Sequence, residues 1–139
     1  MSFKNILCFG TLNPDLIYFV DELPSKGGDI RSLKSSMRPG GTAINCSDLI
    51  SLWDKSVHVR GNSIGSDPMG KYLVDYLKEN NINFDGLIIN QSLTPTCSIF
   101  VDSSGERTIV SSGYEGLEWS NFENLNNFDS LIIDRYSIK

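Results

Sequence analysis

The chain has few of the residues that build metal centres, disulfide frameworks and membrane spans. It holds one histidine and three cysteines in 139 residues. Cys8, Cys46 and Cys97 are odd in number, far apart and set in apolar surroundings. They read as small buried hydrophobes in a reducing cytoplasm, not as a disulfide network or a metal site. His58 lies in Val57-His58-Val59 and reads as a structural residue on a strand. Positive charge is also scarce: 12 Lys and Arg stand against 17 Asp and Glu, a net charge of −5, and no basic run exceeds two residues. That balance argues against nucleic acid or an anionic membrane surface as the main partner. No apolar run approaches bilayer length. The start, Met-Ser-Phe-Lys-Asn, leads into too short an apolar run for a secretion signal. The sequons at Asn45 and Asn90 carry no meaning in a cytosolic chain. No repeat, low-complexity tract or linker divides a chain long enough for one domain with its own core.

Glycine is present, yet two common glycine fingerprints for phosphate are not. Gly10 closes the first apolar run but leads into Thr11-Leu12-Asn13-Pro14-Asp15, not a G-x-G-x-x-G turn. Gly65 to Tyr72 nearly matches G-x-x-x-x-G-K-S/T, but Tyr72 stands where a Ser or Thr must bind magnesium. Asp67 and Pro68 occupy the loop that would have to offer N–H groups, and Gly70 and Lys71 fall inside a helix. The P-loop reading fails.

What is present follows an α/β pattern. Ile6-Leu7-Cys8-Phe9 predicts a buried strand of a parallel sheet, closed by Gly10. Leu16 to Val20 and Ile30 to Ser36 predict short strands around a turn-rich connection. Apolar residues at 43, 46, 49, 50 and 53 keep helical spacing, with Thr42 as the expected N-cap. Val57 to Arg60 is a second core strand. A helix then opens with Asp67 as cap and Pro68 in its first turn, and Met69, Leu73, Tyr76 and Leu77 form its apolar face. Asn80-Asn81 supplies its left-handed stop. Thr96 to Asp102 and Arg107 to Ser111 flank Ser103-Ser104-Gly105-Glu106 and predict a hairpin. Ser130 to Asp134 predicts another buried parallel strand. In such sheets ligands gather outside the carboxyl ends of the strands, an edge that Asp15, Gly40-Gly41 and Asp134 can reach.

One polar set suits a polyhydroxylated ligand. Asp15 and Asn13 can accept and donate hydrogen bonds to vicinal hydroxyls, Gly40 and Gly41 let backbone N–H groups come close, and Asn45 lies one turn into the following helix. From spacing alone, the same residues also read as a plain turn and a surface asparagine.

Gly10 with Asp15, Pro39-Gly40-Gly41 with Asn45, and Gly61, Gly65, Asp67 and Gly70 together resemble the ribokinase-like (PfkB) carbohydrate kinase family. The second block resembles that family's N-terminal signature. The likeness runs along the whole chain in order, and Gly105 to Val110 is similar to ketohexokinase-like and sulfofructose-kinase-like members. The resemblance implies a Rossmann-like parallel sheet with a small inserted β-lid, its strands at about 13–38 and 94–112. It implies a sugar bound at Asp15, Gly41 and Asn45, with Asn13 as a further contact beside the Gly40 already named, and a lid that pairs with another protomer's lid in a homodimer. Gly61 to Gly70 is assigned to packing. Arg107 reaches from the lid either to an anionic substituent or to solvent, and Asp134-Arg135 stands where relatives place an acid or arginine near substrate.

The family's second signature, Gly-Ala-Gly-Asp, supplies an anion hole and a catalytic base, and nothing in the chain matches it. Family members run to about twice this length, and an end just after a core strand would leave a sheet edge uncovered. The expectation is therefore the N-terminal part of an ATP- and Mg2+-dependent sugar kinase. Its nucleotide-binding half and base would lie beyond residue 139, and the chain alone would bind no nucleotide and transfer no phosphate. The alternative is a non-catalytic sugar- or nucleoside-binding and dimerisation module.

Overall fold

The computed structural model describes residues 4–53, 55–135 and 137. Expectations touching the first three residues, Tyr136, Ile138 and Lys139 lie outside the described residues. In chain order the elements are β1 (Asn5–Gly10), β2 (Asn13–Phe19), β3 (Lys34–Gly40), α1 (Thr42–Ser51), β4 (Ser56–Gly61), β5 (Ile64–Gly65), α2 (Pro68–Glu79), β6 (Ile89–Asn90), β7 (Thr96–Val101), β8 (Arg107–Ser112) and β9 (Ser130–Ile133).

The apolar run of β1 forms the middle of a parallel sheet in the order β4-β1-β9. A strand covered on both faces needs no alternation, and Leu7, Cys8 and Phe9 are all buried. With Ile44, Ile50, Val57, Val59, Leu73 and Leu77 these strands make the core. β9 departs from expectation: Leu131 and Ile132 remain 36% and 37% exposed, because the strand lies at the sheet's edge.

The second sheet has the order β3-β2-β7-β8, with antiparallel outer pairs and a parallel β2–β7 pair. A parallel pair requires a long crossover, and the crossover here passes through the first sheet and both helices. The sheet is therefore inserted into an α/β frame, as expected. The hairpin of β7 and β8 also forms as expected, but β3 runs from Lys34 to Gly40 instead of ending at Ser36. Pairing with β2 decides this: Asn13 faces Gly40 and Phe19 faces Lys34. Pro39 is tolerated because β3 is an edge strand.

Helix α1 is rotated from the expected face. Ala43, Ile44, Ser47 and Ile50 are buried, whereas Leu49 and Trp53 lie exposed. Its N-cap is Gly41, without a side-chain capping bond, so Thr42 is not the cap. Cys46 and Cys97 are half-buried, and only Cys8 is fully inside. Among the described residues no helix is long and apolar enough to cross a membrane.

Helix α2 starts where its cap signals put it. Asp67 accepts from the Gly70 N–H at 2.8 Å, and also from the Thr94 N–H at 2.9 Å and hydroxyl at 2.6 Å. Burial opposes ionisation of Asp67, but the bonds from Thr94, Gly70 and Met69 outweigh it and hold its pKa below the ordinary 3.8. Asp67→Ala is expected to cost about 1–2 kcal/mol, read as a lower urea midpoint. A depressed carboxylate pKa stabilises fully above the unfolded value and is lost as pH falls through the folded one. The difference between the two proteins should therefore shrink on acidification, and a constant difference would count against the cap.

Candidate functional site

Only Thr11 and Leu12 separate β1 from β2, so the carboxyl end of the parallel sheet feeds directly into the inserted one. The junction is held by Asn62, which is fully buried. Its Oδ1 accepts from the Leu12 N–H at 2.7 Å and its Nδ2 donates to the Leu12 carbonyl at 3.1 Å. Thr11 and Thr42 exchange bonds across the junction, Thr42 N–H to Thr11 Oγ1 at 3.1 Å and Thr11 N–H to Thr42 Oγ1 at 3.2 Å.

Side chains alternate across a strand, and register aligns one set of them. Asp15 pairs with Cys97, Cys97 with Ser111, Ile99 with Ile109 and Val101 with Arg107. The odd-numbered residues of β2, β7 and β8 thus share one face. Between that face and the start of α1 lies a cavity of about 650 Å³, lined by Asn13, Asp15, Gly41, Asn45, Arg107 and Tyr114 among others.

Five of the six expected site residues line this space: Asn13, Asp15, Gly41, Asn45 and Arg107. Gly40 does not. A Cβ on Gly40 would sit 2.3 Å from Asp15 Oδ2, so its part is to leave room for that carboxylate. Gly41 adopts φ +86°, a conformation side chains resist, and a Cβ there would meet the Thr11 carbonyl at 2.2 Å. This lets the backbone turn from β3 into α1 at the cavity wall.

Asn13 is buried, and its Nδ2 donates to Asp15 Oδ1 at 2.7 Å. Burial raises the Asp15 pKa above its ordinary 3.8, and the Asn13 bond offsets this only in part. Neither Asp134 nor Arg135 is among the described residues that line the cavity. Asp134 instead ties β9 to the junction. It accepts from the Thr42 hydroxyl, the Thr11 N–H at 3.1 Å and the Ser137 N–H at 2.8 Å. Burial opposes its ionisation, but bonds from Ser137, Thr42 and Thr11 prevail and lower its pKa.

Sequence reasoning did not identify Cys97, Tyr114 or Trp119 as lining residues. Cys97 could have been found from alternation along the hairpin, which puts it on the same face as Arg107, but its place beside Asp15 is set by the β2–β7 register. Tyr114 and Trp119 follow β8 in irregular chain that carries no local signal.

The arrangement suits a ligand rich in hydroxyls: one carboxylate, two amides and one guanidinium face the space, and Ile99, Ile109 and Trp119 supply apolar wall. A nucleotide does not fit the glycine segment from 65 to 72. The Asp67 carboxylate already occupies that helix N-terminus, and Lys71 is paired with Asp75. Among the described residues no group of three or more His, Cys, Asp or Glu is placed to hold a metal ion.

The family model described as pfkB family carbohydrate kinase matches residues 4–138. Mouse ketohexokinase is 30% identical over 112 residues, which cover 79% of this chain and 37% of that protein. A solved structure described as a candidate ribokinase from Agrobacterium tumefaciens superposes with a TM-score of 0.80 at 22% identity, covering 96% of this chain and 45% of that one. Arabidopsis thaliana ribokinase, solved with ribose and ATP, has a TM-score of 0.68 at 19% identity, with 81% and 36% covered. The chain therefore spans between about a third and a half of the length of these relatives. The solved structures bear out the α/β ribokinase-like fold.

Proposed function

The chain belongs to the pfkB family of carbohydrate kinases, and we propose that it is the sugar-binding half of an ATP-dependent kinase that phosphorylates a sugar hydroxyl. One observation carries this reading: strand register and the Gly41 turn bring Asn13, Asp15, Gly41 and Asn45 to a single cavity. Asp15 accepts from neighbouring sugar hydroxyls, Asn45 meets a further ring hydroxyl, Asn13 stands behind Asp15 with its amide bonded to that carboxylate, and Arg107 faces whatever substituent lies nearest the hairpin. Asp15 is half-buried whereas Asn45 and Arg107 are exposed, so discrimination falls chiefly to Asp15, which a ligand without the matching hydroxyl would leave unpaired.

ATP and Mg2+ are assigned to residues other than these 139, where they would supply the phosphoryl group and its charge neutralisation. The enzyme is read as cytoplasmic. The inserted sheet is read as a lid over the sugar that pairs with a second protomer's lid, since β8 is an edge strand with Ile109 and Val110 exposed.

A thermal-shift panel of fructose, ribose, a sugar phosphate, a ketodeoxy acid and a nucleoside, each with and without ATP, tests the reading. One sugar should stabilise the chain, by about 2.7 kcal/mol at a hundred times its Kd, and ATP alone should not. Light scattering on the same samples reads the dimer. A chain indifferent to every sugar would lose the pocket assignment, and phosphate transfer by this chain alone would overturn the half-enzyme reading.

A further inference from the structure

We propose that Tyr114 is a positioning residue of the sugar site, whose hydroxyl holds the Asn13 amide in the one orientation that presents Asp15 to a diol. The inference rests on the functional reading above and deepens it. Tyr114 lies just beyond β8, 101 residues from Asn13, and its hydroxyl is 2.9 Å from Asn13 Oδ1. On the other side of the amide, Nδ2 stands 2.7 Å from Asp15 Oδ1.

The direction of each bond follows from donor chemistry. An ionised Asp15 only accepts, so the NH2 group of Asn13 must face it. Asn13 Oδ1 then faces Tyr114, and the phenol must donate. Its oxygen can accept in turn from the Cys97 thiol, whose Sγ is 3.6 Å away. Burial above all, helped by Cys97, Asp15 and Asp134, raises the Tyr114 pKa. The hydroxyl therefore keeps its proton through the neutral range. Asn13 is only 2% exposed, so without Tyr114 its carbonyl would be a buried acceptor with no partner. The amide would then rotate to recover a partner and take Nδ2 away from Asp15. With the relay intact, Asp15 Oδ1 is engaged and Oδ2 is left for the ligand.

Tyr114→Phe keeps the ring and removes only the hydroxyl. By calorimetry its Kd for the sugar found in the panel should rise about tenfold. In the ligand-free chain, the two Asn13 NH2 proton resonances should move toward the positions of a free amide and exchange faster with solvent. Tyr18→Phe removes a hydroxyl from a ring stacked on Phe100, outside the cavity, and should change neither reading. Unchanged affinity and unchanged Asn13 resonances in Tyr114→Phe overturn the proposal. If that variant does not fold, the unaltered chain decides, because Asn13 NH2 protons at free-amide positions that exchange as fast as exposed ones would exclude the relay. If no sugar binds the unaltered chain, the functional reading fails, and the Asn13 resonances still report separately on whether Tyr114 holds the amide.

Discussion

Asp15→Asn is expected to weaken sugar binding by about a hundredfold or more and to leave the fold at least as stable at neutral pH. The two effects share a cause. The Asp15 carboxylate is partly buried on the shared face of β2, β7 and β8, and burial raises its pKa. A group whose folded pKa lies above its unfolded value stabilises below the unfolded pKa, and that contribution is lost as pH rises through the folded one. At neutral pH the ionised carboxylate thus works against folding. Asparagine has nearly the same shape, carries no charge, and its carbonyl can still accept from Asn13. It cannot offer a ligand diol a charged acceptor.

The pH dependence separates binding from stability. Binding by the unaltered chain should fall as pH drops through the raised Asp15 pKa, above the ordinary 3.8, while this group's effect on stability moves the other way. Arg107 is the cation on the same face, and Cys97 and Tyr114 are the other titratable groups around the carboxylate. Calorimetry and urea denaturation across acidic to neutral pH read both quantities. A variant that binds sugar as tightly as the parent removes Asp15 from the site, and a large loss of stability would mean the carboxylate supports the fold.

What could be read in the sequence was local. Asp67-Pro68 fixes the start of α2 because a cap and a first-turn proline need only their own neighbours. The run from Ile6 to Phe9 identifies a buried strand because no alternation survives when both faces are covered. Asn13, Asp15 and Asn45 were legible as polar residues, and Gly41 as a turn, at strand and helix ends, where α/β sheets bind ligands. What was missed depends on pairing across distance. β3 shifts because β2 selects its register, and α1 turns its buried face toward β1 and β4 instead of following its own apolar stripe. Gly40 and Gly41 look alike in sequence, but one clears space for a carboxylate and the other makes the turn at the wall. Tyr114 reaches Asn13 only through the hairpin and the irregular chain after it, so no window of sequence contains both.

Gly61→Ala is expected to be the most damaging small change in the frame, costing about 3 kcal/mol or more and lowering the melting midpoint by roughly 10 °C. Gly61 ends β4 directly opposite Gly10 at the end of β1. A Cβ on Gly61 would lie 1.7 Å from the Gly10 carbonyl oxygen and 2.8 Å from Leu12 Cδ1. The first obstacle is backbone, which cannot rotate away, so β1 and β4 must part. Gly61 also donates to Ser120 Oγ at 3.3 Å and accepts from the Ser120 N–H at 2.8 Å, which leaves it little freedom to shift. Gly105→Ala makes a fair comparison: Gly105 has φ +84° but nothing within 4 Å of a new Cβ, so only backbone strain of about 1 kcal/mol is expected. The consequence at Gly61 extends to the cavity. The next residue, Asn62, holds Leu12 from both sides, and Leu12 precedes Asn13 and Asp15. Parting the strands must therefore move the side chains assigned to the sugar. Thermal denaturation and sugar affinity should fall together in Gly61→Ala, whereas Gly105→Ala loses stability alone. A Gly61 variant that melts like the parent would show that the junction can yield, and the claim that it fixes the site would fall with that result.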